Sequence, residues 1–269
     1  YGLNGHEGNH GEDVKELYYY LDSSPTHSYM RALYQYPQSA FPYEKLLQEN
    51  RERDRQTDEY EILDSGAFNE NRYFDVQCEC AKNSPNDILI RIRITNQGPD
   101  PAPVHLLPTL WFRNTWTWDC NHEGCSVRPR IERENDQSLS TNHPTLGSFQ
   151  FHWDRAPSEV LLTHNETNEH RLYGDGDQLP QVKDSFHAHL IDSPNSTITS
   201  AASGTKGSPH YKMTIGPGAT EEFRLRLTLK SEAQPQPFGP QFDQIFDARI
   251  EETESFYRSH LPRSADPEA

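Results

Sequence analysis

Residues 87–96 read DILIRIRITN, and this alternation limits the fold more than any other stretch of the chain. Side chains two apart on a strand share a face, so Ile88, Ile90, Ile92 and Ile94 make one apolar face while Arg91 and Arg93 lie on the other. The expectation is a half-buried strand, isoleucines in a core and arginines at the surface. Residues 71–81 precede it across the turn-forming cluster 83–87, which predicts an antiparallel hairpin. A second pair, 209–215 and 221–229, is joined by Gly216, Pro217 and Gly218, with Phe223, Leu225, Leu227 and Leu229 as its buried face. Weaker strands are expected at 16–21, 28–34, 59–64, 102–112, 148–153, 158–163 and 185–191.

Many short strands separated by Gly, Pro, Asn and Asp predict a mainly β chain, a large antiparallel β-sandwich with few helices. One helix is expected over 42–54, opened by Pro42 and carrying Leu46 and Leu47 on one stripe. The other spans 240–259, where Phe242, Ile245, Phe246, Ile250 and Phe256 keep roughly helical spacing and Pro262 closes the run. It follows the Pro-rich stretch 235–240, so the division expected is a sandwich over 1–239 and a helical segment over 240–269. That segment either packs on the sandwich or leads into a further domain.

Composition narrows the function. Only 33% of residues are apolar, yet 13 Tyr, 12 Phe and 4 Trp are too many aromatics for a disordered chain. Lys and Arg number 25 against 41 Asp and Glu, a net charge of −16. This excludes a uniformly basic nucleic-acid surface and a polybasic membrane patch. No run approaches the ~20 apolar residues of a spanning helix. Neither nucleic acid nor membrane is an expected partner. Four cysteines are too few for a disulfide scaffold, which favours a reducing compartment and a cytoplasmic location. The chain starts at Tyr1 without Met and reads as a piece of something longer.

The densest polar cluster is residues 4–16 (NGHEGNHGEDVKE). Glu7, Asn9, His10, Glu12, Asp13 and Lys15 are the candidate substrate-binding or domain-docking residues. The cluster reads either as a solvated loop or as the polar wall of a sugar or ion site. Tyr18, Tyr19, Tyr20, Tyr29, Tyr34, Tyr36, Phe41 and Tyr43 follow. Pyranose rings stack on aromatic faces while carboxylates and amides bind their hydroxyls, so the mixture suits carbohydrate. Four acids on one flexible loop do not make a rigid pair of carboxyls ~6.5–9.5 Å apart, as inverting glycoside hydrolysis requires.

Metal chemistry has weaker support. Cys78 and Cys80 point together on a strand, and His122 lies between Cys120 and Cys125, but these spacings are not those of common zinc modules. His187 and His189 offer only a weak two-imidazole pattern. Buried free thiols and a reducible Cys120–Cys125 loop are expected, with no metal and no cofactor. Phosphate-loop, dinucleotide, metalloprotease and serine-elbow motifs are absent.

Four segments carry a family likeness. They are the run from Gly2 to Tyr43 (GLNGHEGNHGEDVKELYYYLDSSPTHSYMRALYQYPQSAFPY), the run from Arg72 to Trp116 ending LLPTLWFRNTW, NETNEHRLYG from Asn165 to Gly174, and GTKGSPHYKMTI from Gly204 to Ile215. In this order they resemble bacterial glucosidase-like members of glycoside hydrolase family 63, related to mannosyl-oligosaccharide glucosidase. The resemblance implies an N-terminal β-sandwich of the supersandwich kind, joined to a C-terminal (α/α)6 barrel, with helix 240–259 as the connector. The family's catalytic acid and base belong to the barrel, so no catalytic residue is carried over. The chain departs from the family pattern at Cys78, Cys80 and 117–150. What this implies is the non-catalytic β-domain of an α-glucosidase-like hydrolase. The chain would be inactive alone, its partner would be the missing barrel, and it would help to shape a site for an oligosaccharide substrate. A stand-alone carbohydrate-binding module and a structural interaction domain are the alternatives.

Overall fold

A computed structural model describes residues 17–118, 122–174, 181–192 and 202–261. Thirteen strands lie among them. β1 (Tyr18–Ser23), β2 (Tyr29–Pro37), β3 (Tyr73–Ser84), β4 (Asp87–Asn96), β5 (Ala102–Leu106) and β6 (Leu110–Trp111) come first. β7 (Arg130–Asn135), β8 (Ser138–His143), β9 (Gly147–Trp153), β10 (Glu159–Thr163), β11 (Ser203–Gly204), β12 (Lys206–Ile215) and β13 (Thr220–Leu229) follow. The helices are α1 (Tyr43–Glu52), α2 (Glu169–Tyr173), the single turn α3 (Ser185–His187) and α4 (Gln241–His260).

Nine strands form one sheet in the order β1-β2-β3-β4-β13-β9-β8-β7-β11, and β10-β12-β5 form a second, with β6 beside β12. The described pairings are antiparallel. The chain is thus the antiparallel sandwich expected. Its core lies between the sheets, where Phe74, Ile92, Ile94, Phe151, Trp153, Phe223 and Leu225 meet Val104, Leu162, Tyr211 and Ile215.

The 71–81 and 87–96 hairpin forms as expected, extended to Ser84, with Cys78 opposite Ile92 and Val76 opposite Ile94. The second expected pair does not form. β12 lies in the small sheet and β13 in the large one, so the Gly216–Gly218 turn crosses between layers. Asn96 explains the crossing: its side-chain amide donates to Ile215 O, and its carbonyl accepts from Gly218 N, both at 2.8 Å. Two further expectations are corrected. Residues 59–64 give a 3-10 turn, Ile62–Ser65, and 185–191 give α3 followed by a π turn, Ala188–Asp192.

The arginines of β4 are not a solvent face. Helix α4 lies on the outer surface of the large sheet, where Phe242 and Phe246 bury against Tyr29, Ala81 and Leu89. Around that seam runs a lattice of charges. Glu79 accepts from Tyr29 Oη at 2.8 Å and from Arg91 Nε and Arg93 Nη1, each at 2.9 Å. Arg93 and Arg224 both hold Glu222, and Arg224 reaches Asp243 on α4 at 3.1 Å. Arg91 stacks over the Phe246 ring, 4.4 Å from its centroid. Beside them Arg226, 2% exposed, grips Asp87, 4% exposed, through two bonds of 2.8 and 2.6 Å.

Burial on both faces sets the expected energetics. Ile92→Ala leaves a core cavity and should cost about 2–5 kcal/mol. Arg91→Gln strips one donor from the buried Glu79 carboxylate and should cost about 1–3 kcal/mol, above the ~0.5 of an exposed substitution. Arg226→Met strands Asp87 and should cost about 3–5 kcal/mol. Urea unfolding of the three variants checks the order. An Arg91→Gln cost within about 0.5 kcal/mol would show that the lattice does not seal the outer face.

Candidate functional site

The six polar candidates Glu7, Asn9, His10, Glu12, Asp13 and Lys15 lie outside the described residues. Leu17, the first described residue, is buried, and its carbonyl accepts from Gln35 N at 3.0 Å. The polar segment therefore joins the sandwich at edge strand β1. The aromatic residues after it are sorted by strand parity. Tyr29 is buried beneath α4, Tyr19 shares that outer side, and Tyr18, Tyr20, Tyr34 and Tyr36 share the inner side.

At the other edge of the large sheet, three of the four family-like segments knit together. The chain leaves β10 at Thr163 and enters β12 at Lys206, and the loops between them are tied by backbone and amide bonds. Asn165 donates its backbone N–H to Thr205 Oγ1 at 2.7 Å and its side-chain amide to Phe112 O at 2.8 Å. Phe112 N in turn donates to Thr205 O at 3.0 Å. Gly204 is required here: a Cβ would stand 2.2 Å from Thr163 O, closer than any side chain can approach. These contacts join LWFRNTW, NETNEHRLYG and GTKGSPHYKMTI at their polar residues.

Glu166 is the hub of this loop end. It accepts from Trp116 Nε1 at 2.9 Å and pairs with Arg128. Asn168 caps α2 by accepting from Arg171 N at 3.0 Å, and it donates to Asp184 at 3.1 Å. Arg171 also faces Asp184, at 3.5 Å. Trp111 and Trp118 stand exposed alongside, with the Arg113 guanidinium 4.7 Å from the Trp118 ring centroid.

Lys206 is the most perturbed base of the cluster. Its ammonium donates to Lys183 O at 2.8 Å and lies 4.1 Å from the Phe186 ring centroid. Burial first, and the Lys183 charge second, push its pKa down to about 8. The arrangement offers ring faces, amides and one amine close to neutrality. Glu166 and Asp184 are both committed to arginine, so neither is placed as a free acid or base.

Sequence reasoning missed a second polar chain, on the outside of the small sheet. His189 and His210 both contact Glu159 Oε1 at 2.9 Å, and His210 Nε2 lies 3.0 Å from His105 Nδ1. Burial pushes the Glu159 carboxyl up, but hydrogen bonds from the two imidazoles outweigh it and leave the pKa below the ordinary glutamate range. His189 is reached from the π turn, so no period-two pattern signals it. His187 and His189 therefore do not share a strand face. Among the described residues no group of three or more His, Cys, Asp or Glu is placed to hold a metal ion. Cys78 and Cys80 are free thiols, and Cys125 is disulfide-bonded. No described helix is long and apolar enough to cross a membrane.

No family model matches the sequence. The chain is 33% identical over 299 residues to the uncharacterized protein YMR196W of Saccharomyces cerevisiae, an alignment covering 96% of this chain and 27% of that protein. The chain thus spans about a quarter of the length of the curated relative it matches. Among solved structures it aligns to a protein described as "putative kojibiose phosphorylase from human microbiome". That match has a TM-score of 0.32 and 9% identity, over 71% of this chain and 20% of the other.

The depressed basicity of Lys206 has a direct consequence. A lysine of pKa about 8 is largely uncharged at pH 9, where an ordinary lysine near 10.4 is not. Lys206 should therefore be acylated by an amine-selective reagent with a midpoint near pH 8. Peptide mapping across pH 6–11 checks this, and a midpoint no lower than that of an ordinary lysine would refute the burial of the amine.

Proposed function

We propose that the chain is the β-domain of a glycoside hydrolase of the family 63 kind, α-glucosidase-like, acting on an oligosaccharide in the cytoplasm. In this reading the intact protein places an (α/α)6 barrel after α4, and the barrel carries the acid and the base. The β-domain contributes walls rather than catalytic groups. The observation that carries the reading is the convergence at one end of the sandwich of three segments that resemble that family. Segments 72–116, 165–174 and 204–215 are far apart in sequence, yet their asparagine, tryptophan, glutamate and glycine residues hold one another in place. The commitment of Glu166 and Asp184 to arginines agrees with a non-catalytic role.

Helix α4 fits a connector. Its first half is sealed against the sheet, while Phe256 and Tyr257 near its end stay exposed. The segment 4–16, attached at Leu17, is proposed to face the barrel and to help shape the sugar site through His10 and Glu12.

The test compares the intact gene product with the 269-residue chain on maltose, kojibiose, nigerose and aryl α-glucosides. The intact protein should release glucose and the chain alone should not. In the intact protein, Trp116→Phe or Glu166→Ala should lower kcat/KM about tenfold or more without abolishing folding. Turnover by the chain alone, or an intact protein inert toward every α-glucoside, would overturn the reading.

A further inference from the structure

We infer that Cys78 and Cys80 of β3, with Met30 of β2, form a binding site for a soft monovalent metal ion, Cu(I). The two cysteines lie two residues apart on one strand, so their side chains leave the same face. Both are free thiols, and neither is fully buried. Register puts Met30 directly opposite Cys80 on β2, and Ala32 opposite Cys78. On β4 the same two cysteines face Ile90 and Ile92. Directly opposed Cβ atoms stand about 4.5–5.5 Å apart, within reach of a thioether. Three sulfurs from two strands therefore share one patch of the sheet, walled by an alanine and two isoleucines. The spacing C-x-C is no metal signature by itself, and the third sulfur is supplied by a cross-strand partner that only the register reveals.

The two thiols already interact, through a hydrogen bond between their side chains. Donation from Cys80 outweighs burial and holds the Cys78 thiol below its ordinary range. The same bond, with burial adding to it, pushes the Cys80 thiol up. A proton shared by two sulfurs occupies the place that a thiophilic ion takes over, because the thiolate is the metal-binding form. Binding one Cu(I) forms two copper–thiolate bonds, releases both thiol protons to water and leaves one net negative charge. Lys82, two residues beyond Cys80 on β3, acts on the Cys80 charge and offsets it.

The number and kind of donors select the ion. Thiolate and thioether are soft ligands, and Cu(I) is satisfied by two or three of them. A structural zinc site takes four ligands, and an iron–sulfur cluster takes four thiolates. Among the described residues no His, Asp or Glu joins the two cysteines as a third ligand. Glu79, between them in sequence, is on the opposite face and is held by Arg91 and Arg93. The apolar wall limits the access of water to the copper–sulfur bonds.

This inference does not rest on the family reading. It is tested by titrating the 269-residue chain against the coloured Cu(I)–bicinchoninate complex under nitrogen, with ascorbate as reductant. The chain should withdraw one equivalent of Cu(I). Cys78→Ala and Cys80→Ala should each weaken binding about a hundredfold, and Met30→Leu about tenfold. X-ray absorption should find three sulfurs around copper in the unaltered chain and two in Met30→Leu. Melting separates binding from the variants' own stability: Cu(I) should raise the melting temperature of the unaltered chain and not that of Cys80→Ala. Cys125→Ser should bind as the unaltered chain does, since Cys125 is disulfide-bonded. Failure to withdraw Cu(I), or withdrawal undiminished in Cys78→Ala, would overturn the inference. So would binding and a sulfur count unchanged in Met30→Leu, or binding lost in Cys125→Ser, which would move the copper to that loop.

Discussion

The carboxylate of Glu79 is enclosed beneath α4 and answered by one phenol and two guanidinium groups, and the architecture on that side of the sheet follows from it. A buried carboxylate is costly unless its lone pairs are filled. Burial pushes its pKa up, yet the hydrogen bonds from Arg91 and Tyr29 and the charges of Arg91 and Arg93 leave it below the ordinary glutamate range. Each donor comes from a different strand or register: Tyr29 from β2, Arg91 and Arg93 from β4. A one-residue slip between β3 and β4 would turn Glu79 to the isoleucine face and leave both arginines unanswered. The lattice therefore fixes register as well as the seat of α4, through Arg224 to Asp243 and through the Arg91 stack on Phe246.

That arrangement also explains what was legible in the sequence. The isoleucines of β4 announce a strand whatever covers its other side, since period two needs only one apolar face. Ile92 and Ile94 are buried where the pattern puts them. The pattern could not show that arginines on the second face are sealed by a helix some 150 residues later, because a paired buried arginine and an exposed one are the same letter. Leu89 was the available signal, an apolar residue on the supposed wet face, and it packs beneath Phe242 and Phe246.

The errors have equally local causes. Gly216, Pro217 and Gly218 mark a reversal correctly, but a tight turn does not say whether the returning strand pairs with its neighbour or changes layer. The Asn96 side chain makes that choice from 119 residues away. β7 and β8 went unrecognised because their runs, RIEREN and SLSTNH, are polar: only Ile131 and Leu139 supply large apolar side chains to the core. The tyrosines were legible as a cluster but not by side. Parity assigns Tyr18 and Tyr20 to one side and Tyr19 to the other, yet only the packing of α4 shows which side is the outer one.

A sheet sealed by a second sheet on one side and by a helix on the other has little exposed middle with which to meet a ligand. Its exposed chemistry is displaced to the two ends of the strand order. At the β1 end the chain supplies phenols on a rigid ladder, with the polar segment 4–16 joined to it at Leu17. At the β7–β11 end it supplies loops tied down by Asn165, Glu166 and Gly204, with tryptophans left standing outward. Loops between β10 and β12 that had only to close the chain would not need a glycine pressed on a carbonyl or a glutamate shared by tryptophan and arginine. Such over-determination makes physical sense where loop shape itself has to be held for something that binds against it.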